Sequence, residues 1–205
     1  MESNDLEQAR RSSTNKITIT DLAIQKVPLI EYPGIPNEHY EIIQQIAKSV
    51  LTISRDLNEC NEVAITYSLD SERLMREGKE YYGIALGDQT SVDPCDDSTT
   101  YHLLNSSSRN VVITVHNHPS VSLLSLADVS FLLEYASVKM IIAVTNLGGI
   151  FYLLKTEKYV YDDAVILFRK AANIRAGDTS LRARQEAAQY FLNHCKSAGL
   201  YYGDR

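Results

Sequence analysis

Cysteine is scarce in this 205-residue chain. Cys60, Cys95 and Cys195 are an odd number, widely scattered, with no Cys-x-x-Cys pair. A disulfide framework is therefore not expected, nor is a zinc site built on cysteine. Long apolar runs are also missing: none approaches the roughly 18 residues needed to cross a bilayer. Positive charge is in deficit, 20 Lys and Arg against 26 Asp and Glu, for a formal net charge of −6. That weighs against non-specific nucleic-acid binding, which needs a basic surface to displace counterions, although it leaves room for a local basic patch. The first residues, Met1 to Glu7, are acidic and have no apolar core, so they do not read as a signal peptide. No internal repeat or low-complexity tract stands out. These absences point to a reducing, cytoplasmic setting with no membrane partner.

What is present suits a folded protein. Hydrophobic residues make up 44% and charged residues 22%, ordinary values for one substantial domain with extensions. Residues 1–15 are polar and without periodicity, as in a mobile tail or a weakly helical arm. Residues 16–36 are expected to be extended, with Ile17 and Ile19 alternating with polar residues and Pro28, Pro33 and Pro36 opposing a continuous helix. Asn37 can cap a helix running to about Leu57, with Ile42, Ile43, Ile46, Ala47, Val50 and Leu57 on one face. Glu62–Leu69 then reads as a strand, Asp70–Glu72 as a turn, Arg73–Glu77 as a weaker strand and Tyr81–Leu86 as a third. An acidic loop over 88–98 precedes a short helix from Thr99 to about Ser107 and a strand over Asn110–Val115. Further on, a helix from Ser125 to about Ala136 leads to strands Lys139–Thr145 and Ile150–Lys155, joined by the hairpin signal Asn146-Leu-Gly-Gly149. Two helices close the chain. The first is Asp162–Ile174; the second, capped by Thr179 or Ser180 and ended by Gly199, turns Leu181, Ala188, Phe191, Leu192 and Cys195 inward. This order predicts an α+β fold, a mixed β-sheet flanked by helices.

The chemistry concentrates between His116 and Asp128. Side chains two apart on an extended segment share a face and lie about 6–7 Å apart along the strand. His116 and His118 can therefore point into one space while Asn117 points away. Pro119 ends the strand, and Asp128, in the first turn of the next helix, can bring an oxygen to the same place. Two imidazoles and a carboxylate suit Zn²⁺ and leave its fourth position open, where a water's pKa falls toward about 7. Either half of the pattern has an ordinary explanation: histidines in strands are often plain polar residues, and Ser125-x-x-Asp128 alone is a helix-capping pattern. Their combination, directly after an apolar strand, points to a metal.

His116-Asn-His-Pro-Ser120 followed by Ser125-x-x-Asp128 resembles the JAMM (MPN+/JAB) metalloprotease motif, H-x-H-x₇-S-x-x-D. The His-Asn-His-Pro-Ser stretch is particularly similar to the RadC branch. The resemblance covers about residues 37–156 and implies a JAB/MPN-like, cytidine-deaminase-like core, with 1–36 as an N-terminal arm and 157–205 as a helical extension packed on the same domain. It implies zinc as cofactor, held by His116, His118 and Asp128. The general base would be Glu62, at the head of an early strand that follows a helix, and Ser125 would help stabilise the tetrahedral intermediate. The implied partner is a protein or peptide substrate, next to ubiquitin-like proteins in the best-known branches.

Two points stay open. Only six residues separate His118 from Ser125, where the pattern has seven, so Ser122 or Ser120 could take the place of Ser125. Glu59 lies just upstream of Glu62, and Glu77 and Glu80 precede another strand; any of these acids can equally be a solvated surface residue. His39, His102 and His194 look ordinary, and His194 and Cys195, adjacent in sequence, cannot share a helical face. The competing readings are a non-catalytic interaction module of the same fold and a RadC-like role in nucleic-acid metabolism, the latter without support from the acidic charge. The aromatics of the C-terminal helices would cover the sheet, or dock a partner or a second copy to give a homo-oligomer.

Overall fold

The computed structural model describes residues 16–174 and 176–205. The arm expected over residues 1–15 lies outside them. The fold is α+β: a six-stranded mixed sheet with helices against both faces. The strands are β1 (Val63–Ser68), β2 (Tyr82–Leu86), β3 (Val112–His118), β4 (Val138–Thr145), β5 (Ile150–Lys155) and β6 (Leu200–Asp204), in the spatial order β2-β1-β3-β4-β5-β6. Among the described residues only β3 and β4 pair in parallel. A parallel neighbour requires a crossover, and the segment that makes it carries the Ser-x-x-Asp unit.

The helices are α1 (Asp21–Lys26), α2 (Tyr40–Leu57), α3 (Ser71–Arg76), α4 (Ser98–Ser106), α5 (Leu126–Glu134), α6 (Tyr161–Ile174) and α7 (Leu181–His194). On one face of the sheet, α5, α6 and α7 bury Val129, Leu132, Leu167 and Phe191 against Val112, Ile141, Ala143 and Leu153. On the other, α2 and the segment over 19–35 bury Ile43, Val50, Leu51 and Tyr32 against Ile65, Ile113, Val115 and Ile142. The central strands are thus covered on both sides, as expected of strands sandwiched between layers, with Thr114, His116 and His118 of β3 as buried polar exceptions on the α5 side.

Several expectations fail locally. The stretch expected to be wholly extended contains α1: the Thr20 hydroxyl accepts from the Ala23 N–H, and Asp21 and Lys26 match the helix dipole at either end. The weaker strand at Arg73–Glu77 is instead part of α3, where Glu, Arg, Leu and Met favour helix and Arg73 pairs with Glu77 one turn on. On α2, Leu57 is 74% exposed and Ile42 40%, while Leu51, outside the expected apolar set, is fully buried. Leu181, expected inward, is 67% exposed in the first turn of α7. The chain end is not only helical: a 3₁₀ turn over Cys195–Ala198 stops at Gly199, in the left-handed region at φ 70°, and β6 follows against β5. A Cβ on Gly199 would lie 2.0 Å from the Lys158 carbonyl oxygen, so glycine is required there.

Candidate metal centre

All seven residues of β3 are buried. Alternation along it sends Val112, Thr114, His116 and His118 toward the α5 side and Ile113, Val115 and Asn117 toward α2. The expected strand ended at Val115. The observed one continues through both histidines, because their backbones pair with Ala143 and Thr145 of β4. The register therefore holds both imidazoles rigidly on one face. Pro119 ends the strand, and its carbonyl accepts from the Ile17 N–H at 2.8 Å. After the loop, Ser125 caps α5 and Asp128 is its third residue.

The histidine Nε2 atoms are 2.9 Å apart. Asp128 Oδ1 lies 3.2 Å from His116 Nε2, and Asp128 Oδ2 lies 3.6 Å from His118 Nε2. His116 and His118 are 4% and 6% exposed. Two nitrogens and an oxygen thus converge within 4.8 Å of one another and could hold a metal ion. Tetrahedral zinc, with bonds of about 2.0–2.1 Å, would set its donor atoms about 3.3–3.4 Å apart; the two histidine nitrogens lie closer than that, and Asp128 meets them through different oxygens, so the donors would shift slightly to close on an ion. On the far side of the His118 ring, Nδ1 is 3.0 Å from the Ser122 carbonyl oxygen. A carbonyl only accepts, so Nδ1 carries the proton and Nε2 is directed at the cluster, the usual way in which an outer partner fixes a ligating imidazole.

Charge in the cluster is tightly coupled. Burial disfavours the imidazolium of His118, but hydrogen bonding to Asp128 and the charges of Asp128 and Glu62 outweigh it and push the pKa up to about 9. Burial likewise favours the neutral acid of Asp128, yet His116 and His118 together hold its carboxyl well below the ordinary range. This pocket rewards positive charge between the imidazoles and the carboxylate, whether carried by a proton or by a cation. Cation binding requires neutral imidazole and releases that proton.

Glu62 immediately precedes β1 and is 8% exposed. Ala64 is paired with His116, which places Glu62, two residues earlier, on the face that carries the histidines. Burial raises its pKa, opposed by the nearby charges of His116 and His118. Its backbone is held on both sides: the N–H donates to the Asp88 carbonyl, and the C=O accepts from the Gly87 N–H and Asn58 Nδ2. The other acids lie elsewhere. Glu59 is exposed at φ 51°. Glu77 pairs with Arg73 and Lys79, and Glu80 accepts from the Thr99 hydroxyl. Both sit at the end of β2 that faces Ser68, the opposite end of β1 from Glu62.

The three serines take different places. Ser125 is an exposed helix cap whose Oγ accepts from the Asp128 N–H at 3.2 Å. Ser122 Oγ lies 3.4 Å from His118 Nδ1, behind the ring, and 2.9 Å from Ser120 Oγ. Only Ser125 bonds directly to a residue of the candidate ligand set on the Asp128 side. Among the other histidines, His39 Nδ1 lies 2.8 Å from the Tyr67 hydroxyl, and His102 and His194 are exposed on helices.

Sequence reasoning left Asn117 as a residue that merely points away. It is fully buried, and its side chain joins α2, the start of β1 and the β4–β5 turn. No local pattern signals this, since its partners lie 29 to 63 residues off in sequence. A groove of about 810 Å³ between α2 and the β1–β2 edge is lined by Ile42, Ile46, Ile65, Tyr82 and Ile84. It opens on the α2 face, so the sheet separates it from the histidines. All three cysteines are free. Among the described residues no helix is long and apolar enough to cross a membrane. Comparison of the chain with protein-family models, curated proteins and solved structures finds no match.

Proposed function

We propose that this protein is a zinc-dependent metallopeptidase of JAMM (MPN+/JAB) type, akin to the RadC branch, hydrolysing a peptide or isopeptide bond in a cytoplasmic protein or peptide. The observation that carries the proposal is the convergence of His116, His118 and Asp128 on one point with the buried Glu62 carboxyl on the same face of the sheet. A zinc ion held by these three residues supplies a Lewis acid that makes water acidic and polarises a carbonyl. Glu62 takes a proton from the attacking water and gives it to the departing amine. Its burial suits it to both steps, because a raised pKa brings the carboxyl closer to the amphoteric range. Ser125 accepts from the Asp128 N–H through oxygen alone, which leaves its own proton to donate to the oxyanion of the tetrahedral intermediate. Ser122 holds His118 in the tautomer that presents Nε2. The three free cysteines suit a reducing compartment.

The test is metal analysis together with peptide-library cleavage. Purified protein is expected to carry about one zinc per chain and to cleave library members in a reaction that a chelator stops and added zinc restores. Protein that takes up no divalent metal, or cleavage indifferent to the chelator, would rule the proposal out.

A further inference from the structure

We infer that Asn117 is a positioning residue that sets Glu62 against the two histidines; this rests on the metallopeptidase reading above. Strand alternation puts His116 and His118 on one face of β3 and Asn117 between them on the other. Asn117 Oδ1 accepts from the Val63 N–H at 2.8 Å. Its Nδ2 lies 3.2 Å from the Asn61 carbonyl oxygen, 3.1 Å from Ser54 Oγ and 2.9 Å from Asn146 Oδ1. The residues just before and just after Glu62 are therefore both bonded to the side chain that stands between the two histidines.

The orientation of this amide is determined by its partners. The Val63 N–H can only donate, so the Asn117 atom facing it must be oxygen. Asn146 is fixed by the same logic: its Nδ2 faces the carbonyls of Ile17 and Cys60, which can only accept, so its Oδ1 is left for Asn117. Ser54 closes the circuit, its hydroxyl donating to the Asn61 carbonyl at 2.5 Å. With no exposure at either asparagine, no water competes for these bonds. Neighbouring ladder bonds hold the middle of β1 to β3, but Glu62 lies before β1 begins. The Asn117 amide supplies a link to β3 at that end of the strand. A shift of about 1 Å in a reacting group can lower turnover by about a hundredfold, so a fixed Glu62 is worth a buried polar network.

The experiment uses the full chain, with Asn117→Ala and, because that change can prevent folding, the milder Ser54→Ala. Amide hydrogen exchange by NMR is followed on zinc-free and zinc-loaded protein. In both variants the Val63 amide is expected to exchange at least about tenfold faster while Thr66, in mid-strand, is unchanged. Zinc stoichiometry is expected to stay as in the native chain. In the hydrolysis assay kcat should fall with KM unchanged, and Asn117→Ala or Ser54→Ala should have no further effect in a Glu62→Gln background, the non-additivity of residues acting through one another. Unchanged Val63 exchange, or full additivity with Glu62→Gln, would overturn the inference. If the native chain neither binds zinc nor cleaves peptides, the metallopeptidase reading fails first, and the exchange data still report whether Asn117 holds the start of β1. If Asn117→Ala does not fold, Ser54→Ala decides by the same readouts.

Discussion

Ser125 and Asp128 hold each other. The Ser125 N–H donates to Asp128 Oδ2 at 2.6 Å, and the Asp128 N–H donates to Ser125 Oγ at 3.2 Å. This reciprocal capping box does more than start a helix: with Oδ2 tied to the backbone, the carboxylate turns Oδ1 toward His116. The six-residue loop from His118 to Ser125 therefore delivers the Ser-x-x-Asp unit to the histidines despite being one residue shorter than the JAMM pattern.

Ser125→Ala separates the two jobs of that serine. Loss of the hydroxyl cap is expected to lower stability by about 1 kcal/mol, read as a shift in the denaturant midpoint. The backbone donor to Asp128 remains, so zinc content should not change. If the hydroxyl also serves the oxyanion, kcat falls by about 10²–10³, far more than a cap can explain. Retention of kcat would leave Ser125 a cap alone.

Replacing a ligand should abolish the metal site, and Asp128→Ala should in addition lose its half of the capping box on α5. His116→Ala and Asp128→Ala are expected to lose zinc by metal analysis. The native chain should gain thermal stability with zinc, up to about 4 kcal/mol at a thousandfold excess over Kd, and neither variant should show that gain. His116→Ala protein that still holds stoichiometric zinc would place the metal elsewhere.

Glu62→Gln keeps the shape of the side chain but removes its basicity. Zinc content should be unchanged and turnover should drop by about 10²–10⁴. Glu59→Gln, on an exposed residue, should be indistinguishable from the native chain in the same assay. The reverse pattern would move the base to Glu59.

The grouping of the candidate ligands was legible because it depends on short-range geometry. Two-residue alternation on a strand puts His116 and His118 on one face, and a capping box returns Asp128 ten residues later. The main helices and the β4–β5 hairpin were legible for the same reason, each having a period, a cap or a turn of its own. What escaped depends on distant partners. Asn117 looks like any polar spacer until Ser54, Asn61 and Asn146 surround it. Strand β6, five residues over Leu200–Asp204, exists because β5 offers an edge at Phe151–Lys155. Leu57 and Leu181 fit the apolar spacing but fall at helix ends, beyond the reach of the sheet. Lys155 was read only as the end of a strand.

Lys155 is 2% exposed. Its Nζ donates to the Tyr135 carbonyl at 2.8 Å and stands 5.2 Å from the centre of the Tyr159 ring. Burial, with the positive charges of Lys139 and Arg109, lowers its pKa from 10.5 to about 8. Between those values the unfolded chain binds a proton that the folded chain does not, so this group makes stability rise with pH across that window. Below about pH 8 both states are protonated and the full penalty applies, up to about 3 kcal/mol from the shift. Lys155→Met keeps the volume and removes the charge. Its advantage over the native chain, or its smaller deficit if the lost bond to Tyr135 dominates, should be greatest below pH 8 and shrink toward pH 10. Taking the difference between the two proteins cancels the tyrosines away from Lys155, such as Tyr152 and Tyr202, which also have raised pKa values and titrate at the alkaline end. Denaturant midpoints measured in parallel at intervals from pH 7 to about 10 decide it: a difference that does not change with pH would mean that Lys155 keeps an ordinary pKa in the folded chain.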